Sequence, residues 1–167
     1  RQYSFLFYTH SFKRKKFLTN KAHCCVKIGD LNEAKKIYIK TLKYYEDSND
    51  VEFIIATYKG LGEIALQDSE LSKAEKYFLK GLETSKNKNF TFHYVEILLN
   101  LAEIYSRTKR LREEEKILRL ANILAAKSNM AHYPKAMERL QRFYERVKNY
   151  ERAELTLKRR KNHIHSL

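Results

Sequence analysis

Apolar and small residues recur at three- and four-residue spacing between residues 58 and 83 of this chain. They form two sets, Leu61, Gly62 and Ala65 in the first half and Ala74, Phe78 and Leu82 in the second. The polar residues 67–69 separate the two sets. Spacing of this kind is typical of a helix that buries one face. The stretch therefore predicts two short helices that fold back on each other, with small residues where the backbones approach.

The same pattern recurs along the chain at intervals of 40, 40 and 39 residues. A small residue is expected at the start of each second helix, at Ala34, Ala74, Glu114 and Ala153, and a large one four residues later, at Tyr38, Phe78, Leu118 and Leu157. Asparagines fall between the units at Asn49, Asn89 and Asn129. Because independent positions keep one interval, the pattern predicts a structural repeat.

The repeat predicts an all-α fold, a right-handed superhelical solenoid of antiparallel helix pairs. We expect a single domain over residues 1–167, with a partial helix at 1–10 and repeats at about 11–49, 50–89, 90–129 and 130–165. Gly29 is a helix stop, and Pro134 suits the first turn of a helix.

The order of large, small, small and aromatic residues in the hairpin resembles the tetratricopeptide repeat, whose standard unit has about 34 residues. Units of 40 residues are similar to those of peptide-sensing bacterial regulators, the Rap and PlcR-like group. Four positions depart from the pattern, with a charged or polar residue where the repeat has leucine or a small residue: Lys21, Glu114, Gln141 and Arg160.

Composition adds a strong positive charge. The chain has 34 Lys and Arg against 20 Asp and Glu, a net charge of +14 and a pI of about 9.7. Such a balance favours acidic partners, and composition by itself does not choose among a nucleic acid, an anionic membrane surface and an acidic protein or peptide. No apolar run is long enough for a membrane span, which needs roughly 18 residues. No membrane partner is therefore predicted.

The two cysteines, Cys24 and Cys25, are adjacent, and neighbours on a helix point in different directions. We expect both to be reduced, with Cys25 buried and Cys24 partly buried, in a cytoplasmic protein. The first residue, Arg1, looks like the interior of a helix, so we expect the chain to be a piece of a longer protein.

No constellation of residues predicts catalysis. Four glycines cannot supply a phosphate-binding loop, and His163 and His165 alternate at a helix end, which suits metal ligation poorly. In the Rap-like phosphatases the catalytic residues lie in an N-terminal bundle that has no counterpart here. The prediction is a protein that is not an enzyme, with no cofactor and no metal.

Aromatic residues and basic runs leave nucleic-acid binding open. The chain contains 12 Tyr and 9 Phe, and its basic runs are residues 13–16, 109–112 and 158–161. Since most aromatics fall on repeat-core positions, core packing is the favoured interpretation. Binding of nucleic acid through the convex basic runs is the alternative, and self-association through apolar solenoid ends is a third.

The resemblance implies that the first helix of each unit lines a concave groove that binds a peptide. Three places follow the groove at three- and four-residue spacing: Asn20, Gly60, Asn100 and Arg139, then His23, Glu63, Glu103 and Arg142, then Lys27, Gln67, Arg107 and Arg146. The candidate binding residues are Asn20, His23, Lys27, Lys59, Glu63, Asn100, Glu103, Arg107, Arg139, Arg142 and Arg146.

These residues predict a peptide- or protein-binding scaffold, the sensor or interaction region of a larger bacterial regulator. Arginine suits carboxylates through its bidentate fork. We expect an acidic side chain or a free carboxyl terminus to dock on Arg139, Arg142 and Arg146, with Asn100 holding the peptide backbone.

Overall fold

The structure is a computed structural model, and it describes residues 16–84, 92–127 and 133–165, with side chains up to residue 161. The predicted partial helix at 1–10 and the turns at Asn89 and Asn129 lie outside the described residues.

Helices account for all the regular structure in these three ranges. Helix α1 covers residues 16–28. The others are α2 (Leu31–Asp47), α3 (Val51–Gln67), α4 (Leu71–Thr84), α5 (Phe92–Arg107), α6 (Leu111–Lys127), α7 (Tyr133–Arg146) and α8 (Tyr150–His165). Neighbouring helices from α1 to α4, and likewise from α5 to α8, pack against each other as antiparallel pairs, so the predicted all-α helical repeat is confirmed.

The helices belong to two compact units, α1–α4 and α5–α8. In the first unit, α1 contributes Ala22, Cys25 and Val26 to a core completed by α2 and α3. Tyr38 and Tyr45 of α2 are fully buried in this unit. In the second unit, α5 has the largest number of buried residues, which are Val95, Ile97, Leu98, Leu99, Leu101, Ala102, Ile104 and Tyr105.

Helix α3 packs on two sides through glycines. A Cβ at Gly60 would collide with the ring of Tyr38 on α2, and a Cβ at Gly62 would collide with the ring of Phe78 on α4. Residues two apart on a helix point to nearly opposite sides. The missing side chains therefore allow two aromatic rings to lie against the α3 backbone, one from each neighbouring helix.

The first helix of every hairpin ends on a residue in the left-handed region, and these residues keep the repeat interval. They are Gly29 (φ 87°), Ser69 (φ 60°), Lys109 (φ 58°) and Lys148 (φ 59°). The amide after each one donates back into the last helical turn, as from Asp30 to the Cys25 carbonyl oxygen at 2.9 Å. This Schellman-type end satisfies carbonyl groups that the helix leaves free. Only the glycine was recognisable as a stop in the sequence.

The expectation for Cys24 is wrong, since this residue is exposed, whereas Cys25 is buried as expected. Successive residues of a helix are about 100° apart, and α1 turns the face that carries Ala22, Cys25 and Val26 toward α2. Cys24 therefore lies on the solvent side.

We predict that Gly62→Ala destabilises the protein by about 1–3 kcal/mol, because the added methyl overpacks the contact with Phe78. The sign of the change in unfolding free energy tests the close contact, since a glycine-to-alanine substitution within a helix normally stabilises by about 1 kcal/mol. Urea unfolding of the purified chain measures the change. Introducing Gly62→Ala into a Phe78→Leu background is the control, because the smaller side chain makes room for the methyl. A gain in stability in the parent background would contradict the close contact.

Candidate functional site

Four of the predicted binding residues meet in one groove of the second unit. Glu103, Arg139, Arg142 and Arg146 line a depression of about 190 Å³ between α5, α6 and α7. Ala102, Ser106, Glu114, Leu118 and Phe143 complete its walls. We call this depression the arginine groove.

Helix α7 supplies the three arginines from one side. Their spacing of three and four residues places them on the same face of the helix. The first, Arg139, donates from its guanidinium to the backbone carbonyl oxygen of Leu99 at 2.7 Å. This bond attaches α7 to α5 and leaves Arg139 half-buried. Arg139 therefore has a structural role at the wall of the groove.

The third arginine, Arg146, is held by a buried carboxylate. Its guanidinium forms an ion pair with Glu114, whose side chain is only 5% exposed. It also donates to Ser106 Oγ at 2.7 Å. Glu114 occupies the place where the other hairpins have alanine, so the exception in the repeat pattern provides the counter-ion. The pair joins α6 and α7 across the groove.

The middle arginine, Arg142, is the most accessible cation of the three. Its side chain is 73% exposed, and its guanidinium lies 2.6 Å from a carboxylate oxygen of Glu138, one turn earlier on α7. An exposed pair of this kind contributes about 0–1 kcal/mol. Arg142 can thus exchange Glu138 for another carboxylate at little cost.

Two predicted residues of this unit do not line the groove. Arg107 is exposed, and its guanidinium pairs with Glu103 at 2.9 Å. Asn100 is half-buried on α5. The sequence also missed Ser106 and Phe143 as groove residues. Glu114 was visible only as a departure from the small-residue pattern.

In the first unit, the structure places Asn20 and Lys27 on the exposed surface of α1 and leaves His23 half-buried. Lys59 is 4% exposed, and its ammonium group lies 3.5 Å from Glu63. Their roles in binding stay predictions. The assignment of Gly60 to a wet groove is wrong, because the ring of Tyr38 covers it.

Tyr38 is one of the residues whose ionisation the fold changes. Burial raises the pKa of its phenol well above the usual range, and the carboxylate of Glu63 raises it further. Tyr144 on α7 shows the same direction, since burial and then its hydrogen bond to Glu115 raise its pKa. Both phenols are therefore neutral across the physiological range.

Two further findings concern the described ranges only. No helix among these residues is long and apolar enough to cross a membrane. No group of three or more His, Cys, Asp or Glu side chains in the same residues is placed to hold a metal ion.

Comparison with known proteins agrees with this architecture. Residues 16–48, which contain α1 and α2, match the family model of the tetratricopeptide repeat. No curated protein matches the chain by sequence.

Solved structures extend the likeness beyond the first hairpin. BtubC (BKLC) from P. vanneervenii superposes with a TM-score of 0.72 at 18% identity, over 89% of this chain and 62% of that one. The apo form of RapI gives a TM-score of 0.79 at 17% identity, over 89% of this chain and 54% of that one. The kinesin light chain TPR-like repeats of Podosopora anserina give a TM-score of 0.71 at 13% identity, over 88% of this chain and 73% of that one.

These matches define first a class, the all-α helical repeat, and then its type, a tetratricopeptide-repeat fold similar to that of Rap-like regulators. The chain spans 62% of the length of BtubC and 54% of the length of RapI. At these identities the matches show the fold of the chain.

We predict that Arg146→Ala lowers the free energy of unfolding by about 2–3 kcal/mol, because it leaves the buried carboxylate of Glu114 without its counter-ion. Adding Glu114→Ala should recover most of that loss, since alanine is the residue that the other three hairpins carry there. Urea unfolding of the single and double variants measures both effects. Arg142→Ala is the control and should change stability by less than about 1 kcal/mol. A double variant no more stable than Arg146→Ala would show that the pair does not hold the two helices.

Proposed function

We propose that this chain is a non-catalytic scaffold that binds an acidic peptide or protein segment, and that the arginine groove receives a carboxylate of that segment. The observation that supports it is the arrangement of the three arginines. Arg139 and Arg146 are held by protein groups, whereas Arg142 lies between them with an exposed guanidinium.

Pre-organisation favours binding at this place. Arg139 and Arg146 are fixed by their bonds to Leu99 and Glu114, so a ligand does not have to order them. Their positive charge still contributes to the potential of the groove. A carboxylate that reaches Arg142 replaces Glu138 as its partner and forms the bidentate pair that arginine favours. When side chains are already held in place, binding loses less conformational entropy, and a small contact area can then give a useful affinity.

The charge balance of the groove favours a carboxylate over a nucleic-acid backbone. Three arginines line the groove together with two carboxylates, Glu103 and Glu114. A single anionic group can settle beside Arg142, but a run of phosphates would also face both glutamates. Binding of nucleic acid depends on many unopposed cations in a row. A peptide with one or two acidic groups fits the groove better.

The remaining predicted residues belong to the same proposal. Asn100 and Arg107 on α5 would extend the peptide site of the second unit. Asn20, His23, Lys27, Lys59 and Glu63 stay predicted binding residues of the first unit, taken by itself. The likeness to the RapI fold supports a parent protein that is a cytoplasmic bacterial regulator, with this chain as its sensor or interaction region.

A peptide selection tests the function directly. Selection from a random octapeptide library on the immobilised chain should enrich aspartate and glutamate. We expect Arg142→Glu to weaken binding of a selected peptide at least about tenfold, because a charge-assisted hydrogen bond is worth about 1.5–3 kcal/mol. Isothermal titration calorimetry measures the affinity.

Lys135→Glu is the matched control, since Lys135 is an exposed cation of the same helix that does not line the groove. This variant has the same net charge as Arg142→Glu and should bind nearly as well as the parent. If both variants lose the same affinity for the peptide, binding depends on the net charge of the chain and not on the arginine groove. Selected peptides without acidic residues would overturn the proposal.

A further inference from the structure

A second and larger depression lies on the other side of α7. It has a volume of about 440 Å³, and its walls come from α6 and α8 while α7 forms the floor. It shares no lining residue with the arginine groove. Met137 and Leu140 on the floor and Arg139 and Arg142 in the groove point in different directions from the same helix, at about 100° per residue. We call this depression the apolar recess.

The recess exposes aliphatic side chains to solvent. Ile123 on α6 is 53% exposed and Leu155 on α8 is 50% exposed, and the two lie on opposite walls. Below them, Met137 and Leu140 form an apolar floor. Exposed apolar side chains that surround a concave surface are typical of a binding site, because a ligand removes them from water.

Cations lie among these apolar walls. Arg119 on α6 and Arg159 on α8 are exposed residues of the lining, one from each wall. Arg152 also lines the recess but is already paired, since its guanidinium lies 2.8 Å from Glu115. Among the described residues no carboxylate forms an ion pair with Arg119 or Arg159. Within the described part of the chain, the rim therefore carries two cations that have no anionic partner.

A buried acceptor in the wall also lacks a partner. Asn122, which is 7% exposed, donates from Nδ2 to the carbonyl oxygens of Leu118 at 2.8 Å and Ala136 at 3.0 Å. Its Oδ1 accepts no hydrogen bond from the described residues. Buried polar atoms normally have partners.

We propose that the apolar recess binds a short acidic peptide segment in which bulky aliphatic side chains alternate with carboxylates. The aliphatic side chains fill the space over Met137 and Leu140, and the carboxylates pair with Arg119 and Arg159. The lining of α7 extends from Tyr133 to Tyr144, or about 16 Å at 1.5 Å per residue. An extended segment of about five residues spans that distance.

The shape and chemistry of the recess favour a peptide over two other anionic partners. A single-stranded nucleic acid stacks its bases on exposed aromatic faces, whereas the exposed residues of the two walls, Ile123 and Leu155, are aliphatic. A bilayer surface is flat, so it cannot follow the arginines into a concave site. An alternating aliphatic and acidic peptide satisfies the apolar floor and the charged rim at once.

The test is a titration of the full ¹⁵N-labelled chain with an acetylated pentapeptide of alternating leucine and glutamate, followed by NMR. We expect shifts at the amides around Ile123, Met137 and Leu155. Arg119→Glu combined with Arg159→Glu should weaken binding at least tenfold. The matched control, Lys116→Glu with Lys161→Glu, makes the same charge change on the same two helices outside the recess and should leave the affinity within twofold.

A second peptide and a selective readout separate this site from its alternatives. A pentapeptide with lysine in place of glutamate should not bind. The affinity is read only from the amides around Ile123, Met137 and Leu155, so that peptide bound in the arginine groove is not counted. The proposal does not depend on the function of that groove. Absence of binding, equal losses in the two double variants, or shifts confined to the arginine groove would overturn it.

Discussion

The close approach of paired helices through small residues is the constraint on which this structure depends. Alanine or glycine at the crossing lets an aromatic ring lie against a neighbouring backbone, as Phe78 does at Gly62 and Tyr38 does at Gly60. Close packing of this kind tolerates little change in volume. It fixes the separation of the helices, and that separation determines which outward-facing residues share a surface.

The third hairpin has no small residue at this helix crossing, and the residue that replaces it, Glu114, lines the arginine groove. Glu114 takes the place of alanine, so a carboxylate enters a position that elsewhere is filled by a methyl group. Its burial is tolerated because Arg146 and Ser106 provide charge and hydrogen bonding around the pair. A buried ion pair contributes little net stability compared with good apolar packing. What it does provide is an arginine held in one position at the wall of a groove.

Helix α7 then separates two chemically different surfaces. One face carries the three arginines of the groove, and the opposite side carries Met137 and Leu140 on the floor of the apolar recess. A helix between two neighbouring helices has room for both, since residues two positions apart point in nearly opposite directions. The last hairpin thus borders two depressions of different volume and polarity, and exposed arginines lie beside each of them.

The sequence by itself determined the helical repeat, because the 40-residue interval records which residues must be small or large at each helix crossing. It also placed Arg139, Arg142 and Arg146 on one face, since that follows from helix geometry alone. Only the tertiary structure decided that Arg139 binds a carbonyl oxygen, that Arg146 pairs with Glu114, and that Arg142 stays accessible. It also showed that Gly60 lies under Tyr38 and not in a groove. These outcomes depend on residues about 20 to 40 positions apart in the chain, and periodicity within one helix contains no information about such contacts.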